Sequence, residues 1–215
     1  MTGKSRKSIP QVVLSFFEDS GEKHTYQKYD PLLQYEDGSN LYTLPAIMHF
    51  LRFLMDLSQQ TEVHERQIMP ACLVTIKADD VERAYIDGTA NRSTEKLLAS
   101  MGTELNKLTR PSDRAGRFER TFVVLLTRTM ARNVRDNYAQ RTAEYMRAIS
   151  EVMGMPTTFS FGVASLTEHT PRDADTLLDY SEAALRAAEA RADGSDMKGY
   201  ASVAVYDARK MPVPE

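Results

Sequence analysis

The sequence predicts a mixed α/β (α+β) fold in which helices flank a central mixed sheet of about five strands. Apolar residues recur at helical spacing in several long segments, and short apolar runs typical of strands lie between these segments. Two further apolar runs, in the middle of the chain, are separated by a connection so short that they predict a β-hairpin. Because this hairpin interrupts an alternation of helices and strands, the sheet is expected to be mixed.

The first half of the predicted domain contains two helices and a strand. Apolar residues at helical spacing begin near Leu44, and Pro45 suits the first turn of a helix. The short apolar run over residues 71–76 predicts a strand. The next amphipathic pattern predicts a helix that ends near Arg110, where Pro111 disfavours its continuation.

The second half begins with the hairpin over residues 114–126. A long helix is expected over residues 130–152, and a strand is expected over residues 157–164. The alanine-rich segment 176–192 predicts another helix. Apolar and polar residues alternate over residues 200–206, which predicts a last strand.

The composition is typical of a globular protein and gives no global positive charge to attract nucleic acid. The chain has 215 residues, of which 42% are apolar and 27% are charged, and its formal net charge is −3. No stretch is long enough to span a bilayer, and no apolar signal core follows the basic start, so we expect a cytoplasmic protein. The single cysteine, Cys72, excludes an internal disulfide and a cysteine-rich zinc site.

The pattern divides the chain into three parts. Residues 1–40 are mixed in character and too short for an independent core, so we interpret them as an extension that docks on the domain or on a partner. Residues 41–210 carry the regular pattern of a domain, and residues 211–215 are a tail. The four histidines are scattered without metal-ligand spacing, and neither a Ser-His-Asp nor a P-loop pattern is present.

Four segments occur in the order and spacing of a known family. They are Leu44-Pro45 through Phe50-Leu51, Arg110-Pro111-Ser112-Asp113 followed by Arg117-Phe118 and by Phe122 to Leu126, Phe159 to Ala164, and Leu177 to Glu189 followed by Val205-Tyr206. Together they resemble a GGDEF domain, which has the diguanylate cyclase fold related to nucleotide cyclases and polymerase palms. The resemblance covers about residues 40–207. It implies a palm-like sheet with the hairpin at the catalytic site.

The hairpin turn departs from the family pattern. In the family, two facing domains condense two GTP molecules to cyclic di-GMP, with metal ions that help to activate the 3′-hydroxyl. The signature turn of the family carries a glycine pair and an Asp-Glu pair. Here the turn is one residue shorter, reads Glu119-Arg120-Thr121 before Phe122, and contains neither pair. The resemblance therefore implies a degenerate domain that is not an enzyme and holds no metal or cofactor.

Other positions of the catalytic site are changed as well. The metal-binding Asp at the end of the first strand falls near Ala78 or Thr75. Asp79 and Asp80 are close enough to replace it, but we expect them to form a solvated turn at the end of the strand. The remaining aligned residues are Ile86 and Glu95 for the guanine-contacting Asn and Asp, Ala46-Ile47 for the Asn-Arg of the opening helix, and Glu189 for the phosphate-facing Lys of the last helix. Substitutions at this many independent positions imply that cyclase activity is lost.

The R-x-x-D sequence of Arg110 and Asp113 is retained. In the family, this position is an inhibitory site that binds the product, cyclic di-GMP. A guanidinium can donate to O6 and N7 of guanine, and a carboxylate can accept from the N1 and N2 hydrogens. A surface ion pair or a simple turn is the alternative interpretation of these two residues.

Further arginines are candidates for the same cyclic di-GMP site. Positive charge around the R-x-x-D turn, to which Arg120 also contributes, favours a dianionic ligand. In the family, a partner arginine lies on the helix after the hairpin, and Tyr145 takes that place here. The candidates in this chain are Arg114, Arg117, Arg141 and Arg147.

The sequence leaves three functions open. The first, which we expect, is a non-catalytic receptor that binds cyclic di-GMP and regulates a signalling protein through dimerisation or through ordering of residues 1–40. The second is a ligand-independent protein–protein scaffold in cyclic di-GMP signalling. The third is residual GTP binding or diguanylate cyclase activity. A homodimer is compatible with the first function, and neither nucleic acid nor membrane insertion is expected.

Overall fold

The computed structural model describes residue 39 and residues 41–62, 70–192 and 200–211. Within them the strands are β1 (Tyr42–Thr43), β2 (Ala71–Ala78), β3 (Arg114–Phe118), β4 (Thr121–Thr127), β5 (Phe159–Ser165) and β6 (Ala201–Val205). The helices are α1 (Leu44–Glu62), α2 (Asp79–Ile86), α3 (Arg92–Leu108), α4 (Ala131–Asn133), α5 (Ala139–Val152), α6 (Leu166–His169) and α7 (Ala174–Ala192). The predicted extension, apart from Ser39, and residues 212–215 of the predicted tail lie outside the described residues.

The described strands form one mixed sheet in the order β1-β3-β4-β2-β5-β6. The central strand β2 is antiparallel to β4 and β5, and β3 and β4 form the predicted hairpin. The outer pairs, β1 with β3 and β5 with β6, are parallel. The predicted mixed sheet with flanking helices is therefore confirmed. It has six strands because the two-residue strand β1 is too short to leave a periodic pattern in the sequence.

Side chains of β2 alternate between two hydrophobic cores, one on each face of the sheet. Val74 and Ile76 face the core formed with α3 and α5, and Leu73 faces the core formed with α1 and α7. All three side chains are fully buried. Because both faces are covered, β2 is largely apolar, and Thr75 and Lys77 are the exceptions.

Local sequence explains where the first helices begin. Helix α1 starts at Leu44 with Pro45 in its first turn, as predicted. The Asn91 side chain caps α3 by accepting hydrogen bonds from Ser93 N (2.8 Å) and Thr94 N (3.4 Å). The Thr94 hydroxyl accepts in return from Asn91 N (3.2 Å), which completes a capping box.

The helical segments differ from the prediction at two places. The long helix expected over residues 130–152 is interrupted, because Val134–Tyr138 forms a π-helical turn between α4 and α5. The turn expected at Asp79 and Asp80 is instead the start of α2. Acidic side chains are favourable in a first helical turn, so these residues suit the N-terminus of this short helix.

Helix α7 lies directly against β5. A Cβ atom at Gly162 would come within 2.7 Å of Leu185 Cα and would also contact the backbone of Ser181. Only glycine permits this approach of helix to strand. The contact holds α7 against the sheet, and residues of α7 and of the hairpin turn line the same cavity.

Residues at both limits of the described part of the chain are buried. Ser39 is fully buried, and Met211 packs with the α1 and α7 core. No helix among the described residues has the combination of length and apolarity that crossing a membrane requires.

Candidate functional site

The hairpin turn consists of Glu119 and Arg120 alone. Phe118 and Thr121 pair across the hairpin, so Thr121 belongs to β4, and Phe122 after it is fully buried in the core with α3. Glu119 has a φ of +51°, a left-handed conformation that glycine adopts more easily than other residues. The four residues of the predicted degenerate turn thus divide into two turn residues and two strand residues.

A cavity of about 270 Å³ lies beside the hairpin, on the face of the sheet that α1 and α7 cover. Its lining includes the apolar side chains of Val123, Leu178 and Leu185. The charged residues that line it are Lys77, Glu82, Glu119, Arg120, Glu182, Arg186 and Glu189. Positive and negative groups nearly balance, so the cavity lacks the excess positive charge that attracts a triphosphate.

Ion pairs within the chain fill the polar side of this cavity. Lys77 Nζ lies 3.0 Å from Glu189 Oε1 and 3.8 Å from Glu82 Oε1. Arg120 Nε donates to Glu82 Oε2 at 2.7 Å, and this contact is the main reason why the pKa of Arg120 is raised. The Lys77 ammonium therefore takes the position between two carboxylates that a bound cation would occupy. The partners come from β2, α2, α7 and the hairpin turn.

The ion pairs continue from Arg120 across the end of the sheet. The Arg120 guanidinium stacks on the Tyr85 ring at 4.8 Å, and the Tyr85 hydroxyl donates to Glu95. Arg117 pairs with the same carboxylate at 3.4 Å and donates from Nε to Glu119 O at 2.6 Å. The two arginines next to the hairpin turn, Arg117 and Arg120, are thus committed to partners within the chain.

The residues that align with the family's metal and guanine ligands do not come together. Ala78 is buried on the opposite face of the sheet, and Thr75 donates from Oγ1 to Ser181 O at 3.0 Å. Ile86 is 75% exposed at the end of α2 and does not line the cavity.

The two neighbouring aspartates each have a partner within the chain. Asp79 accepts a hydrogen bond from Thr158 Oγ1 at 2.6 Å, and burial raises the pKa of its carboxyl group. Asp80 pairs with Arg83 at 3.0 Å. In the described part of the chain, no three His, Cys, Asp or Glu side chains are placed to hold a metal ion.

Arg110 and Asp113 lie at the other end of the sheet from the hairpin turn. The eight residues of β2 join the two ends, which are about 23 Å apart at the usual rise per residue. Arg110 O accepts a hydrogen bond from Asp113 N at 2.9 Å, so the two residues form a tight turn. The Asp113 side chain is 5% exposed, and its Oδ1 accepts from Thr127 N (2.9 Å) and Thr127 Oγ1 (3.0 Å). Asp113 therefore joins the start of β3 to the end of β4.

The side chain of Arg110 is exposed and makes no hydrogen bond or ion pair with any described residue. Arg141 is also exposed at this end of the molecule. Burial raises the pKa of the Tyr138 hydroxyl, and the charges of Asp113 and Arg141 act on it in opposite directions.

The remaining candidate arginines are not available beside Arg110. Arg114 stacks on Phe50 at 4.9 Å and donates to Pro111 O and Asp113 O, both at 2.7 Å. Arg117 lies near the hairpin turn, because the extended strand β3 carries it away from Arg110. Arg147 stacks on Tyr200 at 3.7 Å and pairs with Glu151 at 2.7 Å. Since Tyr200 precedes β6 at the hairpin end, Arg147 is also far from Arg110.

Two features of the site were missed from the sequence. Lys77 is visible there only as a charged residue in an apolar strand, and nothing in the local pattern shows that Glu82 and Glu189 surround it. The link between Asp113 and Thr127 depends on the hairpin register, which sets which residues meet at its open end. Tyr145, which takes the position of the family's partner arginine, is 52% exposed.

The sequence matches a family model described as diguanylate cyclase, GGDEF domain, over residues 51–195. Comparison with curated proteins gives no significant match.

Solved structures with similar folds have low sequence identity to the chain. The GGDEF domain of DgcB from Caulobacter crescentus, solved with cyclic di-GMP, has a TM-score of 0.59 at 17% identity and covers 86% of this chain and 99% of its own. The GGDEF domain of YfiN, or TpbB, from Pseudomonas aeruginosa has a TM-score of 0.59 at 16% identity, with coverages of 79% and 98%. The active GGEEF domain of a Vibrio cholerae diguanylate cyclase has a TM-score of 0.56 at 16% identity, with coverages of 77% and 97%. At these identities the likeness shows a shared fold.

Proposed function

The chain belongs to the GGDEF domain family, and from this premise we propose that it is a catalytically inactive member that binds cyclic di-GMP. In this proposal catalysis is lost at the hairpin, and a ligand site is kept at the opposite end of the sheet around Arg110. Binding is communicated to a signalling or regulatory protein in the cytoplasm.

The observation that carries the proposal is the position of Lys77 in the hairpin cavity. A magnesium ion needs several oxygen ligands that are free to coordinate it. Here the Glu82 and Glu189 carboxylates already pair with Lys77, and Glu82 pairs with Arg120 as well. An ammonium group also repels a divalent cation. The residues present do not fit the metal ions that the family uses.

The geometry of the turn gives independent support for inactivity. The family's glycine pair allows a phosphate to approach the backbone, because a Cβ atom would intrude. The turn here carries the side chains of Glu119 and Arg120, and the carbonyl of Glu119 accepts a hydrogen bond from Arg117. Residual GTP handling at this turn is therefore the least favoured function.

The turn at Arg110 supports the receptor function. Its guanidinium is exposed and has no partner among the described residues, so it can stack on or donate to a guanine without breaking an internal contact. Asp113 holds the turn rigid through Thr127. Among the described residues, the hydrogen bonds that Asp113 accepts all go to its Oδ1, and we propose that Oδ2 accepts from the ligand. The relative from Caulobacter crescentus was solved with cyclic di-GMP, which makes this ligand the natural candidate.

A ligand-independent scaffold is the second candidate function, and the hairpin favours it. The Phe118 side chain lines the cavity and is 51% exposed. A partner protein could bury this exposed apolar ring. This function requires no change in affinity for a nucleotide, whereas a receptor must bind its ligand more tightly in one state than in the other.

Calorimetric titration with cyclic di-GMP tests the receptor function. We expect saturable binding by the wild-type protein and at least about tenfold weaker binding by Arg110→Ala, because a charged hydrogen bond to the ligand is lost. The melting temperature should not change, since Arg110 is exposed. Arg52→Ala is a matched control, because Arg52 is an exposed arginine paired with Asp175 on another face.

Two results would contradict the proposed function. Absence of heat at high micromolar ligand, with folded protein, rejects the receptor and leaves the scaffold. Formation of cyclic di-GMP by the purified protein, incubated with GTP and magnesium, rejects the claim of inactivity.

A further inference from the structure

The segment that follows β4 is fixed at both ends by hydrogen bonds. Thr127 donates from N and Oγ1 to Asp113 Oδ1, at 2.9 and 3.0 Å. Thr129 N donates to Pro70 O at 3.1 Å, and Thr129 O accepts from Cys72 Sγ at 3.2 Å. The residue between these two threonines therefore has little freedom in its backbone.

That residue is Arg128, and its φ of +52° lies in the left-handed region. Residues other than glycine, asparagine and aspartate rarely adopt this conformation, because their Cβ atom is crowded. A turn that served only to leave the strand would favour one of those three residues. The Arg128 side chain is exposed and makes no hydrogen bond or ion pair with any described residue, so no internal contact accounts for an arginine here.

Arg128 is close to the Arg110 turn in space. It follows Thr127, which is bonded directly to Asp113, and the Cα atoms of Arg110 and Asp113 lie within about 7 Å of each other in their tight turn. A ligand lying across Asp113 is thus within reach of both arginine side chains. Arg141 lies in the first turn of α5 and is also exposed.

The carboxylates at this end of the sheet only partly neutralise these arginines. Asp136 pairs with Arg135, whereas Asp113 and Glu168 accept hydrogen bonds from neutral donors and keep their negative charge. Arg110, Arg128 and Arg141 outnumber these two carboxylates, and the net positive charge that remains favours an anionic ligand.

We propose that Arg128 binds a phosphate group of a cyclic dinucleotide whose base is held by Arg110. The inference rests on the proposed function and adds a binding residue that the family pattern does not supply. The planar guanidinium of Arg128 can donate two parallel hydrogen bonds to a phosphodiester. The bonds of Thr127 and Thr129 hold the backbone of Arg128 in place before the ligand arrives, which removes the backbone part of the entropy cost of binding.

The variant Arg128→Gly separates ligand binding from folding. Glycine adopts a positive φ without strain, so the melting temperature should stay the same or rise. The affinity for cyclic di-GMP, measured by calorimetric titration, should fall by about tenfold or more. The loss should be smaller at high salt, because part of the attraction that it removes is screened there.

Arg135→Gln is the matched control. It changes the net charge by the same amount in the neighbouring π-helical turn, but the Arg135 guanidinium is already paired with Asp136 at 2.7 Å. We expect its affinity for cyclic di-GMP to stay within about twofold of the wild type. An equal loss in Arg135→Gln and Arg128→Gly would show that general charge acts and would overturn the inference.

The outcomes distinguish this inference from the proposed function. If the wild type binds, Arg110→Ala does not, and Arg128→Gly binds normally, the role of Arg128 is wrong and the receptor function stands. If the wild type itself does not bind cyclic di-GMP, the proposed function and the role of Arg128 both fall.

Discussion

His169 is a single residue whose protonation is linked to folding. Its Nδ1 accepts a hydrogen bond from Ser165 N at 2.8 Å, which requires an unprotonated nitrogen, and its ring packs edge-on against Tyr206. Burial lowers the pKa of His169, and it outweighs the opposing effects of Glu168, of the Tyr206 backbone and of Asp207. The folded state thus favours the neutral imidazole more than the unfolded state does.

We predict that the free energy of unfolding falls as the pH drops below about 6.5, the ordinary pKa of histidine in an unfolded chain. Between that pH and the lower pKa of the folded state, the unfolded chain binds more protons, and below both the loss is complete. Chemical denaturation from pH 8 to pH 5 measures it, with His169→Gln expected to show a flatter dependence. His49→Gln, on the exposed side of α1, controls for the loss of one histidine; equal slopes in wild type and His169→Gln would contradict the assignment.

The residues that act through local chemistry could be predicted from the sequence, and those that act through distant partners could not. The short turn at Glu119 and Arg120 and the presence of Arg110 and Asp113 follow directly from the motif. The partners of Lys77 lie on α2 and α7, so folding alone brings them together. For the same reason the sequence placed Arg117 and Arg147 near Arg110, whereas the extended strand and the helix axis separate them.

Among the elements, the pair of β5 and α7 depends most on one small residue. A Cβ atom at Gly162 would collide with backbone atoms of Ser181 and Leu185, which cannot move as a flexible side chain can. We predict that Gly162→Ala lowers the free energy of unfolding by about 2–3 kcal/mol or more, because helix and strand must separate. Urea denaturation measures the change.

Gly102→Ala is a graded comparison for this prediction. A Cβ atom at Gly102 in α3 would approach side-chain atoms, Ser39 Cβ at 2.8 Å and Leu41 Cδ1 at 3.0 Å. Leu41 Cδ1 can move by a change of rotamer, Ser39 Cβ moves only together with its own backbone, and alanine is favoured over glycine in a helix by about 1 kcal/mol. The cost should therefore be clearly smaller than at Gly162. A larger cost at Gly102 would contradict the assignment of the close backbone contact.

Elements with a regular spacing of apolar residues could be predicted from the sequence. Elements that form because of contacts with other parts of the fold could not. The hairpin, the central strands and the amphipathic helices show apolar spacing over several turns or pleats. The strand Tyr42–Thr43 consists of two residues and exists because β3 offers it an edge. The π-helical turn keeps an apolar side chain, Val134, in the core and leaves no distinct spacing in the sequence.

At the scale of the whole molecule, the sheet separates two charged regions of different character. At the hairpin end, arginine, lysine and glutamate side chains neutralise one another. At the other end, Arg110, Arg128 and Arg141 face the solvent and have no partner among the described residues. The two regions share β2, whose length keeps them about 23 Å apart. A ligand at Arg110 therefore has no direct contact with the hairpin turn, and its signal is expected to pass through the surface that surrounds it.

This separation predicts that the stability contributions of the two ends are additive. Lys77→Met leaves Glu189 without its ion pair, and Asp113→Ala leaves the Thr127 donors unsatisfied, so each should lower the free energy of unfolding by about 1–3 kcal/mol. Sites that are more than about 10 Å apart and share no partner usually add to within about 0.5 kcal/mol. Urea denaturation of both single variants and of the double variant measures the sum.

Glu82→Gln combined with Lys77→Met provides the contrasting pair, because Lys77 and Glu82 share one network with Arg120. That double variant should lose less than the sum of its singles, since the second substitution removes a group that the first has already left without its partner. If instead Lys77→Met and Asp113→Ala deviate from additivity by more than about 1 kcal/mol, the two ends are coupled through the rigid core of β2. The hairpin turn would then respond to a ligand at Arg110, and the expectation that the signal passes through the surrounding surface would be wrong.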